Sequence, residues 1–195
     1  MIRVVIGSIL GGIAQFIVGV IFWGIPIFSR IPFSIASDAQ NANVQAALAQ
    51  NLPQTGTYYI PWPDTTQGTI LHGRGPVGLI FYNSHGFPQM DAGSLIAGLI
   101  VSIVSIFLLG LALHAIASRV TDFASRARVV VLAAVATVLY FTIATPIYNF
   151  TMPWGWWIYL AASQLIGFVI GGLILARWFV PYATARVGVY EDTVH

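Results

Sequence analysis

Four runs of about twenty residues pass without a single Asp, Glu, Lys or Arg, at 4–23, 95–117, 129–148 and 157–176. At roughly 1.5 Å of rise per residue, each is long enough as a helix to cross a hydrocarbon core of about 30 Å. Such a core offers the backbone no water to bond with, so an uninterrupted apolar run of this length is read as a helix. The composition agrees: 57% of residues are hydrophobic and 7% charged, with a mean hydropathy of +0.83, against about 25% charged in a soluble domain. The fold class expected is therefore membrane all-α, a four-helix transmembrane bundle. A small α+β extracytoplasmic domain, 24–93, lies between helices 1 and 2, and a cytoplasmic tail spans 177–195.

The first run could be mistaken for a cleavable signal peptide, since Ser34-Ile35-Ala36 has the small residues of a cleavage site. Its apolar stretch exceeds the roughly 7 to 15 residues of such segments, and Pro26 and Arg30 intervene. It reads as an uncleaved anchor. In 24–93, Ser37-Asp38-Ala39-Gln40 has the form of a capping box with an acid in the first turn, so a helix should run to about Asn51 before Pro53. Val44, Ala47 and Leu48 give that helix a thin apolar face. Three extended runs are expected next, at 56–61, 69–72 and 77–82, the last two joined by a turn at Gly73-Arg74-Gly75-Pro76.

The eight arginines, unaccompanied by lysine, are distributed unevenly. Arg3, Arg119, Arg126, Arg128, Arg177 and Arg186 fall toward one side of the spans, only Arg30 and Arg74 toward the other. The positive-inside rule then puts both termini in the cytoplasm and the polar domain outside. Trp23, Trp154, Trp156 and Trp157 mark the outer interface and Trp178 the inner one. The link 118–128 is read as a charged loop. The sequon Asn149-Phe150-Thr151 is read as chance. A net charge of +2 makes no basic face for nucleic acid, and with no cysteine there are no disulfides, thiolate metal sites or Cys-based catalysis.

The most specific internal pattern joins the first and last runs. Gly7, Gly11 and Gln15 share one helix face, as do Gln164, Gly167 and Gly171, and Gln15 and Gln164 each lie eight residues inside an outer tryptophan. Small residues let helices approach in lipid, and a buried amide seeks a partner worth on the order of 1 kcal/mol. Helices 1 and 4 are therefore expected to pack together with the glutamines close to one another. Among Asp, Glu, Lys, Arg and His, only His114 near the inner end falls inside a run, read as a satisfied interfacial side chain, which argues against haem ligation and against ion-coupled transport. His72, His85, Asp64 and Asp91 could gather as a metal site, but their spacing fits no ligand pattern. Ser84 and His85 lack the context of a hydrolase. No catalytic, cofactor-binding or metal residue is assigned. Tyr58, Tyr59, Trp62, Phe81 and Tyr82 form an aromatic set suited to a partner or ligand, or to packing the small sheet on the membrane surface.

Three stretches carry a resemblance: Pro53-Gln54-Thr55-Gly56-Thr57-Tyr58-Tyr59-Ile60-Pro61, Gly75-Pro76-Val77-Gly78-Leu79-Ile80-Phe81-Tyr82, and Gly172-Leu173-Ile174-Leu175-Ala176. With the glycine-rich first span, they resemble a group of uncharacterised small bacterial inner-membrane proteins with four spans and an extracytoplasmic domain after the first. The resemblance implies that topology and a prokaryotic origin, and carries over no activity. The expected function is that of a non-catalytic accessory or scaffolding subunit, whose partners are the lipid bilayer and other membrane subunits. A binding or transport module for a lipid or other apolar ligand is the alternative.

Overall fold

The computed structural model describes residues 1–88, 90–148 and 153–180, which form two compact units, Met1–Ser34 with the chain from Ala92 onward, and Ile35–Asp91. Four helical stretches are long and apolar enough to cross a membrane: Ile2–Gly24, Ala92–Ala115, Phe123–Tyr148 and Trp154–Trp178. They are α1, α5, a composite third span, and α8. The third span consists of α6 (Phe123–Val138), one π-helical turn (Leu139–Ile143) and α7 (Ala144–Tyr148). A short helix α2 (Pro26–Ser29) follows α1. The sequon 149–151, Arg186 and most of the tail 177–195 lie outside the described residues.

Span one packs on both span two and span four, and span four also packs on span three and, less extensively, on span two. The approach of α1 to α8 is closest at Gly11 and Gly171. A Cβ on either would stand 2.6 Å from the carbonyl oxygen of the other, so no side chain fits between the two backbones. On its other side, Gly12 meets the backbone of Ile103 in α5, where a Cβ would lie 2.5 Å from Cα. The apolar core lies toward the arginine-bearing end: Ile106, Leu109 and Leu113 of α5, Val130 of α6, and Leu175, Ala176 and Val180 at the end of span four.

Helix α6 begins six residues before the apolar run that announced it. Asp122 caps it, its Oδ1 accepting from the Ser125 N–H at 2.9 Å, and the N-terminal turns carry Arg126 and Arg128 into the helix. The link 118–128 is therefore only partly a loop. A second departure lies at Pro146, which has no N–H to give the Thr142 carbonyl and whose ring crowds it. The chain answers with the π-turn just upstream, where the Ala144 N–H reaches the Leu139 carbonyl five residues back.

In the unit Ile35–Asp91, α3 (Asp38–Asn51) starts at the expected capping box, with Ser37 and Gln40 bonding reciprocally. Strands β1 (Gly56–Ile60) and β2 (Gly78–Tyr82) pair antiparallel, from Gly56 opposite Tyr82 to Ile60 opposite Gly78. Between them 69–72 is not extended. It belongs to α4 (Thr66–Arg74), because Thr65 caps a helix by accepting from the Gly68 N–H. Gly75 ends α4 at φ 69°, a left-handed conformation that favours glycine. Cis peptide bonds precede Pro61 and Pro76.

Gly12→Ala should destabilise the bundle by about 1–3 kcal/mol, since the added methyl must push against the Ile103 backbone. Gly19→Ala, with nothing within 4 Å of the new methyl, should be neutral or mildly stabilising. Unfolding of both variants in one detergent checks the pair.

Candidate functional site

The polar side chains of the spans are placed first by the glycines. With Gly11 against Gly171, Gln15 falls beside Gly167, where a Cβ would meet the Gln15 side chain at 3.4 Å, and Gly7 lies under Phe179, just past the end of α8. The glycines that the sequence assigned to helix packing thus lie between α1 and span four. The two glutamines take different partners. Gln15 accepts from the Ser105 hydroxyl of α5 at 3.2 Å, whereas Gln164 accepts from the Thr142 hydroxyl in the π-turn of span three. Each amide ties span one or span four to a third helix.

At the tryptophan end, Pro26 leaves the Phe22 carbonyl without its helical donor. The Tyr159 hydroxyl of α8 supplies one, sharing its proton between the Phe22 and Phe28 carbonyls at 2.8 and 2.9 Å. Trp23 donates its indole N–H to Ser163 at 3.2 Å and stands edge-on to Trp156 and Tyr159. These contacts clamp the C-terminus of α1 to the N-terminal turns of α8.

At the opposite end sits a group that hydropathy had placed in a loop. Arg126 is 1% exposed. Its Nε donates to the Val120 carbonyl at 3.0 Å and its Nη1 to the Val180 carbonyl at 2.7 Å, acceptors just beyond the ends of α5 and α8. Neither carbonyl belongs to a helix, so no helical N–H is offered to it, and the buried guanidinium supplies the donor. Beside it the Arg177 guanidinium lies over the Phe123 ring, 5.4 Å from the centroid. The available signal was Asp122 three residues before Ser125, a helix start ahead of the apolar run.

The aromatic set of Ile35–Asp91 is divided by the sheet. Successive residues of a strand face opposite ways, so in this register Tyr58 and Tyr82 share one face and pair edge-on at 6.3 Å, while Tyr59 and Phe81 share the other. Trp62 stands edge-on to Tyr59 at 6.0 Å, and the Tyr59 hydroxyl is hydrogen-bonded to His72 Nε2. Loss of solvent around the phenol raises the Tyr59 pKa. Phe81 and Trp62 are 79% and 64% exposed. Ser84 is bonded to Thr55, and among the described residues no three of His, Asp and Glu gather as a metal site.

No protein-family model, curated protein or solved structure matches this chain.

Replacing Arg126 with Leu should cost on the order of 3 kcal/mol, because its charge-assisted bonds go and the Val120 and Val180 carbonyls lose a donor. Thermal unfolding in detergent reads this. A pH effect follows from Asp122, whose carboxyl is held below its ordinary range first by the Ser125 side chain and then by the Ser125 N–H. Its pKa is lower in the folded chain than in the unfolded one, so its contribution is complete above the unfolded value. That contribution is lost as pH falls through the folded value. Backbone chemical shifts of residues 123–126 followed in acid should show the first turn fraying, and Asp122→Asn should remove that pH dependence.

Proposed function

We propose that this chain is a non-catalytic integral membrane protein serving as an accessory or scaffolding subunit of a larger membrane assembly. It sits in the bacterial inner membrane with both termini cytoplasmic and Ile35–Asp91 on the outer side. The observation that carries the reading is the exposed aromatic surface of that unit. Phe81 and Trp62 stand out at 79% and 64% exposure, and Leu79, at 36%, lies on the same sheet face as Phe81. Exposed aromatic anchors are the usual centre of a protein contact. A unit of this size without disulfides, in which Leu52 is the one large apolar side chain at 8% exposure or below among the described residues, gains from being covered.

The bundle supports the same reading from the other side. The hydroxyl, amide, indole and guanidinium groups of the spans bond to one another or to helix-end carbonyls, which fixes helices rather than lining a route for ions. Gly7, Gly11, Gly12, Gly167 and Gly171 are spent on contacts within the chain, which leaves the sheet face for a partner. The orientation rests on Arg3, Arg119, Arg126, Arg128 and Arg177 lying toward one end of the spans. A second reading, a binding module for a lipid or other apolar ligand, is favoured by one observation: Gln164 is exposed although it lies on the side of α8 that faces the bundle.

Gentle detergent extraction followed by mass spectrometry tests the subunit reading. Defined proteins should accompany the chain at fixed stoichiometry, and Phe81→Ala with Trp62→Ala should release them without unfolding the bundle. Emergence of the chain alone under every mild condition, or companions indifferent to both changes, would overturn it.

A further inference from the structure

Gln164 is the eleventh of the twenty-five residues of α8, close to the middle of the span. Gly167 and Gly171 lie on the same side of the helix, three and seven residues on, and both are buried beneath span one. Gln164 on that side is exposed. The slot above it is closed lower down by span two, whose Ile106 side chain reaches Gly171 and whose Leu109 reaches Gly172. Toward the tryptophan end, Leu95 and Ile96 at the start of span two are 41% and 60% exposed. Thr142 of the π-turn bounds the slot on one flank, and Gln15, beside Gly167, bounds it on the other.

Both amides are engaged at one end only. Gln164 accepts from Thr142 and Gln15 from Ser105, and among the described residues neither side-chain nitrogen meets an acceptor. No buried side-chain nitrogen or oxygen of the described residues lacks a partner, so the open end of Gln15 is not sealed in the protein. If the amides were turned round, an oxygen end would stand open instead of a nitrogen. Either way a polar amide end faces hydrocarbon at mid-span, which lipid acyl chains cannot satisfy. The nearest arginine on α8, Arg177, is thirteen residues or about 20 Å away.

From this geometry we infer that the slot beside Gln164, Thr142 and Gln15 is a binding site for an uncharged lipid whose head carries a carbonyl or hydroxyl oxygen. The apolar tail lies along span two and span three, and the head oxygen takes the open amide ends. This inference stands independently of the subunit reading, because it concerns only the spans.

The test uses the full chain in proteoliposomes with a diazirine-bearing diacylglycerol as probe, and a diazirine-bearing phosphatidylglycerol as its charged counterpart. Diacylglycerol labelling should concentrate on the peptides containing Thr142 and Gln164 in the wild-type chain, a result that needs no variant to fold. Gln164→Leu should lower that labelling about tenfold, the loss of one hydrogen bond, while Ile158→Ala on another side of α8 leaves it unchanged. Four results overturn the inference: labelling spread evenly over the lipid-facing sides, equal capture of phosphatidylglycerol, indifference to Gln164→Leu, or crosslinks at Gln164 joining two chains.

Discussion

The contact of the Gly11 and Gly171 backbones is the constraint on which the rest of the bundle depends. Inside a bilayer, helices gain little by burying apolar surface against each other, because the lipid is as apolar as the side chains it would replace. What remains is close packing and hydrogen bonding, and both need short distances. With carbonyl oxygens 2.6 Å from where a methyl would stand, α1 and α8 have no room for a side chain between them at this level. Gly12 repeats the device toward α5. Span one is thus held from two sides, and its position sets the depth at which Gln15, Trp23 and Phe22 find partners.

Breaks in backbone hydrogen bonding explain most of the remaining polar architecture. Pro26 frees the Phe22 carbonyl, and Tyr159 from another span caps it. Pro146 frees the Thr142 carbonyl, and the π-turn redistributes the helix around it. Two further carbonyls, beyond the ends of α5 and α8, are taken by Arg126. For the Phe22 and Val180 carbonyls the donor comes from another span, so those bonds hold helices in register as well as satisfying the backbone. Gln15 and Gln164 differ in that each amide is engaged at one end alone, which is why the slot between them reads as a ligand site.

The unit Ile35–Asp91 is built by local rules. The Ser37–Gln40 capping box starts α3, Thr65 starts α4 and Gly75 ends it. Two five-residue strands then close the unit. With little apolar surface to bury, its fold leans on caps and turns, and its aromatic side chains are left on the two faces of the sheet.

How much of this was legible varied with the range of the interaction. The four spans, the α3 capping box and the meeting of the glycine faces follow from hydropathy, from a four-residue motif and from spacing along two helices. These are properties of one segment, or of two segments at matched depth, and the chain alone determined them. Short-range signals that compete were decided by context: 69–72 has strand formers, but Thr65 caps a helix there. Tertiary structure alone decided that Arg126 is buried, because its acceptors, Val120 and Val180, become neighbours only when three spans converge. It also decided that Gln15 and Gln164 bond to Ser105 and Thr142 rather than to each other. A side chain's partner depends on which helix stands beside it, and a periodicity along one helix carries no information about that neighbour.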